Sequence, residues 1–221
     1  GTVEADYFDY HNNHILLVSI DTGAREIAVT SEGEVETFDT AGVLGRHGGH
    51  VPLWYFLRPT PLTKASAEIQ ALARSIEAPK DDVLARLHAL STAVLAAVQY
   101  DTGHTNSETT AEMALSSGHG VCQDHAHIFI SAARVLGLPA RYVSGYLMLT
   151  DRTDQEASHA WAEAHVDGLG WVGFDVSNGI SPDTRYVRIA TGADYTEAAP
   201  ISGLSYGSGE HSMVVSLMVE Q

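Results

Sequence analysis

The spacing of apolar residues changes near residue 60. Before it, short apolar or alternating runs at 14–20 (HILLVSI), 25–30 (REIAVT) and 34–38 (EVETF) read as β-strands. Asp21-Thr22-Gly23 and Ser31-Glu32-Gly33 are turn signals between them. The glycine-rich stretch 42–49, with His47 and His50 in or beside it, reads as a solvated loop. Two prolines in LWYFLRPTPLT then mark a boundary. After it the period is helical. A first helix is predicted over 65–77 and a longer one over 81–100, where Val83, Leu84, Leu87, Leu90, Val94, Leu95 and Val98 recur at helical spacing. Thr109 with Glu112 three residues on forms a capping-box signal for a short helix that Gly118 ends. The stretch 122–136 is apolar on most sides, from Ala126 through Phe129 to Leu136, and ends at Gly137 with Pro139 beyond. A helix apolar nearly all round is a buried one. Past Pro139 the period becomes that of strands, at 140–149, 158–166, 171–176, 185–190 and 211–219. Helices followed by strands predict an α+β fold with an antiparallel sheet. The division is residues 1–60 as a partial N-terminal β region and 61–221 as the core.

Composition narrows the function classes. With 221 residues, 44% hydrophobic and 18% charged, the chain can bury a substantial core. Its formal net charge of -16, without any lysine or arginine cluster, argues against nucleic acid and anionic membrane as partners. One cysteine cannot form an internal disulfide, no apolar run is long enough to span a bilayer, and no signal-peptide pattern opens the chain. A cytoplasmic protein is the expectation. The opening GTVEADYFDY reads as a fragment boundary.

That one cysteine, Cys122, lies in SGHGVCQDHAHIF, on a glycine turn at the start of the buried helix. Free cysteine is often a small buried hydrophobe. A helix N-terminus, however, favours negative charge and so the reactive thiolate, and Gly118 and Gly120 leave room for a substrate backbone. A nucleophile needs a base, and the base an orienting group. SHAWAEAHVDGLGWVGFDVSNG supplies both types. His159, Trp161, Glu163 and His165 alternate with small apolar residues, and Asp175 follows on the next strand. A three-residue hairpin loop over 166–168 sets His159 opposite Asp175, Trp161 opposite Gly173, Glu163 opposite Trp171 and His165 opposite Leu169. A four-residue loop over 167–170 sends His159 and Asp175 to opposite faces instead.

The blocks GHGVCQDHAHIFISAARVLGLPARYVSGYL and SHAWAEAHVDGLGWVGFDVSNG resemble the transglutaminase-like superfamily, in its bacterial cysteine-protease-like branch, over about residues 95–180. PLWYFLRPTPLT and the C-terminal segment from GADYTEAAP onward extend the similarity, and the N-terminal β region is short for that branch. The resemblance implies a papain-like core with a catalytic Cys122, His159 and Asp175, acting on a peptide or protein carboxamide through a thioester, with no cofactor and no metal. Protease or amidase activity is the simplest outcome. Glutamine transamidation, or a non-catalytic peptide-binding scaffold, are the alternatives. The backbone N–H of Cys122 is the expected first oxyanion donor, with Tyr100 or a tryptophan such as Trp161 as the second. Gln123 and Asp124 are further site candidates. Asp124, His125 and His127 beside Cys122 do not complete a metal set, because only 124 and 127 share a helix face. Asp124 fits a first-turn carboxylate or site acceptor, and His127 a buried, hydrogen-bonded histidine. Oligomeric state is not readable from the chain.

Overall fold

The computed structural model describes residues 1–24, 26–150, 154–155 (backbone only), 158–203 and 215–219. Its centre is a five-stranded, fully antiparallel sheet with one buried helix against it. In chain order the elements are β1 Thr2–Phe8, β2 His14–Ser19, β3 Val43–Gly45, a 3-10 turn Leu53–Leu57, α1 Ala67–Arg74, α2 Val83–Ala97, β4 Gln99–Tyr100, α3 Ala111–Ser117, β5 His119–Gly120 and α4 Cys122–Val135. There follow β6 Ala140–Leu147, β7 Asp154–Gln155, β8 His159–Val166, β9 Gly170–Phe174, β10 Tyr186–Gly192, α5 Tyr195–Ala198 and β11 Leu217–Met218. The main sheet runs β10-β6-β8-β9-β3. Helices before strands thus give the α+β architecture expected from the order of periods.

Helix α4 is buried from Asp124 to Arg134, as its apolar circumference requires. Its Ala126, Phe129, Ile130 and Ala133 join Ala160, Ala162 and Ala164 of β8 in the main core, which α1, α2 and α3 complete with Ile69, Leu87, Leu90 and Ala114. The alanines of β8 are what let the helix lie close on the sheet. The opposite face of β8 carries His159, Trp161, Glu163 and His165.

Several elements differ from the expectation. The segments 25–30 and 34–38 are not strands. Residues 26–40 form neither helix nor strand, and Arg25 lies outside the described residues. A strand exists only where a neighbour takes its backbone donors and acceptors. The apolar residues Ile27, Val29, Val35 and Phe38 meet no such neighbour among the described residues, and all four side chains are exposed. Strand β2 does find a partner in Thr2–Phe8, which the sequence left unassigned. The stretch 42–49 is not a solvated loop. Upstream of the boundary placed near residue 60, its Val43–Gly45 forms the sheet edge, and the His47 ring accepts the Trp171 indole N–H at 3.0 Å. The short helix is capped by Thr110, whose hydroxyl accepts from Met113 N at 3.2 Å. Thr109 instead accepts from Asn106 N, one residue out of place for the predicted box. Of 211–219, residues 211–214 lie outside the described residues and Leu217–Met218 is a two-residue strand on β7. Among the described residues no helix is long and apolar enough to cross a membrane.

The hairpin register also shifts. Val166 pairs with Gly170, Ala164 with Val172 and Glu163 with Gly173, so the loop is Asp167-Gly168-Leu169 and every predicted pair moves by two. The cause is at Gly170, whose φ is +86° and whose would-be Cβ lies 1.9 Å from the Gly45 carbonyl oxygen. Only glycine allows β3 that close, so the strand begins there. A shift of two preserves facing, and His159 and Asp175 remain on one side of the sheet as diagonal neighbours.

Candidate active site

Cys122 is the first residue of α4, so its amide has no partner within the helix. The approach to it is tightly built. Strand β4 lies parallel to β5 and sets Tyr100 beside Gly120. Gly118 ends α3 in a left-handed conformation with φ +70°. At Gly120 a Cβ would lie 2.7 Å from that of Asp124, so no other residue fits. The Asp124 carboxylate folds back over the helix start, accepting from Val121 N at 2.8 Å and from the Thr105 hydroxyl at 2.7 Å. Burial outweighs these bonds and raises its pKa above the usual value.

His159 begins β8. Its Nε2 donates to Asp175 Oδ2 at 2.6 Å, and the ring lines the same cleft as the Cys122 side chain. With Nε2 taken by the carboxylate, Nδ1 is the nitrogen left for sulfur. Asp175, fully buried, ends the β9 side of the hairpin and is saturated with donors. Tyr186 OH and Asn178 Nδ2 reach Oδ2 at 2.7 Å each, while the Ser177 hydroxyl at 2.8 Å and Asn178 N at 3.2 Å reach Oδ1. Trp161 (centroid separation 6.2 Å) and Tyr186 (5.9 Å) flank the His159 ring.

These contacts set the charges. Burial alone lowers the pKa of His159, but the bonds to Asp175 and Cys122 outweigh it and lift the imidazole from 6.5 to about 10. Burial alone raises the pKa of Asp175, yet the His159, Asn178 and Tyr186 bonds hold it down at about 2, against 3.8. A raised histidine stabilises the fold fully below pH 6.5, and that contribution is lost as pH rises through about 10. A depressed aspartate stabilises it above pH 3.8, and that contribution is lost as pH falls through about 2. Both contributions are complete only between those two usual values. Urea unfolding of the wild type against pH is expected to peak in that interval, and His159→Ala to flatten the alkaline fall.

Tyr186 gives a sharper test. Its phenol packs edge-on against Trp161 at 5.4 Å, and burial, with the charge of Asp175 and the bond to it, keeps the phenol protonated. Tyr186→Phe preserves the ring and removes one donor from an ionised acceptor, a bond of roughly 1.5–3 kcal/mol. The variant is expected to lose about 2 kcal/mol at pH 7. Its deficit should narrow as pH falls through about 2, where Asp175 protonates and no longer rewards the donor. Urea unfolding at pH 7 and at about pH 2 measures both values, and a deficit independent of pH would assign the loss to packing alone.

The sequence candidates separate into two groups. Tyr100, Cys122 and His159 line one cleft of about 220 Å³, with Asp175 immediately behind. Gln123 does not join them, because its amide points to the carbonyls of Asn106 and Ser107. Asp124 is turned to the helix start, and Trp161 is buried at 2% exposure beside the cleft, in a cluster with Val143, Leu147 and Tyr186. His127 is buried, accepts from Tyr195 N at 3.2 Å, and burial lowers its pKa to about 3. Among the described residues no group of His, Cys, Asp or Glu is disposed to hold a metal ion. Sequence reasoning missed Tyr186, Asn178 and Ser177. The last two were signalled by DVSNG, since an aspartate followed by Ser-Asn at these offsets is a side-chain-bonded turn.

Further along the same face of β8 lies a buried ion cluster. Glu163, fully buried, accepts from Arg141 Nε at 2.6 Å and Arg188 Nε at 2.9 Å, and Arg141 stacks 4.0 Å from the Trp171 ring. This ties β6, β8 and β10 together on the face that carries His159.

Comparison with known proteins accords with this geometry. The profile of the Transglutaminase-like superfamily matches residues 70–176. An uncharacterized protein of Mycobacterium leprae is 29% identical, over 92% of this chain and 76% of the relative. One from Mycobacterium tuberculosis is 28% identical, over 86% and 68%. A crystal structure of a candidate cysteine protease from Cytophaga hutchinsonii superimposes with a TM-score of 0.60 at 29% identity, covering 84% of this chain. The chain spans 63% of that protein. With its cysteine heading the buried helix and its histidine and aspartate at the adjoining strands, the core at residues 70–176 matches the transglutaminase-like superfamily.

Proposed function

We propose that the protein is a cysteine-dependent acyl-transfer enzyme, a protease or amidase working through a thioester at Cys122. The observation that carries this is the meeting of Cys122 and His159 on one cleft, with Asp175 bonded to the ring behind it. His159 takes the thiol proton. The sulfur attacks the carbonyl carbon, and the oxyanion is met by the Cys122 amide, a contribution worth about 3 kcal/mol per donor. Tyr100 is the second donor, because it lines the cleft and Trp161 does not. Burial, together with the charges of Cys122 and Asp175, raises its pKa and keeps the phenol protonated. The proton on His159 passes to the leaving amine, and water, deprotonated by the same ring, releases the acyl group. Asp175 holds the imidazole orientation and stabilises its cationic form.

A peptide-library screen with Cys122→Ala as control tests this. Cleavage by the wild type alone is expected, and equal profiles for both proteins would contradict it. An amine can replace water at the thioester. Mass spectrometry of casein with a small primary amine separates the two outcomes, because cleaved peptides and amine-modified glutamines differ in mass.

A further inference from the structure

We infer that the cleft beside Cys122 is an apolar subsite for an uncharged side chain next to the reacting carbonyl, walled by Leu147, Leu149 and Tyr100. The assignment rests on the acyl-transfer role proposed above. At about 220 Å³ the cleft is smaller than the roughly 300–1,000 Å³ of sites for drug-sized molecules, so it suits one side chain. Its apolar wall is firmly backed. Leu147 and Leu149 belong to a cluster with Val143, Trp161 and Tyr186 that is separate from the main core. Of the polar residues that also line it, Ser177 and Asn178 already give their hydroxyl and amide to Asp175, which leaves Ser158, the Tyr100 hydroxyl and the reacting pair as the polar groups facing a ligand. Among the described residues lining the cleft there is no Lys, Arg, Asp or Glu. Among the described residues a carboxylate in the ligand meets no cation there except the protonated His159, and it must enter a protein of net charge -16. An aliphatic or aromatic side chain buries its surface against the leucines at no such cost.

Chloromethyl ketones of acetyl-leucine, acetyl-glycine and acetyl-glutamate test the subsite, each rate of Cys122 alkylation being divided by the iodoacetamide rate of the same protein. The leucine reagent is expected to exceed the glycine reagent about tenfold, the discrimination usual for an apolar pocket. The glutamate reagent is expected to be slowest, and Leu149→Ala to bring the leucine-to-glycine ratio toward one. Equal rates in the wild type, or a ratio unchanged in Leu149→Ala, overturn the assignment. Inertness to iodoacetamide itself would sink the catalytic role instead. The subsite is then judged by methyl NMR of Leu149 on titration with acetyl-leucine amide and acetyl-glutamate amide. Shifts with the first alone uphold it, and no shift with either overturns it.

Discussion

Asp175→Asn is expected to lower kcat/KM on a peptide substrate by about 10³–10⁴-fold, mostly through kcat. The side chain is fully buried and touches His159 rather than substrate, so KM has little reason to move. The isosteric amide fails for two reasons. It carries no charge to stabilise the imidazolium. It also presents an NH₂ group to a position where five donors converge, those of His159, Tyr186, Ser177 and Asn178, the last contributing two. Whichever way the amide turns, donors face donors, and the imidazole loses the partner that fixes its orientation. Steady-state kinetics on the best peptide from the library screen, with Cys122→Ala as the floor, measures the loss. A fall of less than tenfold would remove Asp175 from the chemistry.

Arg134→Met is the largest expected loss of stability. Near the end of α4 its buried guanidinium donates to the Phe56 carbonyl at 2.9 Å, the Thr63 hydroxyl at 2.7 Å, the Ala140 carbonyl at 2.9 Å and the Ala193 carbonyl at 2.7 Å. One planar cation thus binds the 53–63 segment, the start of β6 and the end of β10. Burial lowers its pKa to about 10 in spite of the nearby Asp194 and Glu197, so it remains charged at neutral pH. Methionine fills the volume but takes the guanidinium donors from three buried carbonyls and from the Thr63 hydroxyl, which keeps only its bonds to Thr60. The expected cost is on the order of 4 kcal/mol, or about 8–16 °C in Tm for a chain of this size. Arg134→Lys recovers only part of this, because an ammonium cannot reproduce a planar fork. Thermal unfolding followed by circular dichroism measures both variants.

Local chemistry made much of the fold and site legible. Helix α4 announces itself by an apolar circumference, and β8 by alternation with alanines, which needs no knowledge of partners. Facing across the β8–β9 hairpin was also readable, because parity depends only on whether the loop is odd. The absolute register was not, because it is set by the contact of Gly170 with Gly45, more than a hundred residues upstream. For the same reason 25–30 and 34–38 mislead: alternation reports a capacity to pair, while pairing needs a neighbour. Tyr186 was invisible because it reaches Asp175 from the sheet edge, two strands from β8, with no local signal at YVRIATG. His47 was hidden by its glycines, since composition suggested solvent and only the Trp171 indole reveals its partner. Arg134 reads as one basic residue in the last turn of a helix, where the helix dipole already accounts for it.

The claim on which the account depends is that His159 activates the sulfur of Cys122. The most direct measurement is the rate of Cys122 alkylation by iodoacetamide at about pH 6, well below the 8.5 or so at which an isolated thiol ionises, in the wild type and in His159→Ala. The account predicts rapid labelling of the wild type and a fall of about a hundredfold in the variant, since activation by a positioned base contributes typically 10²–10⁴-fold. A thiol that resists labelling until the protein unfolds, or that labels equally well without His159, would contradict it.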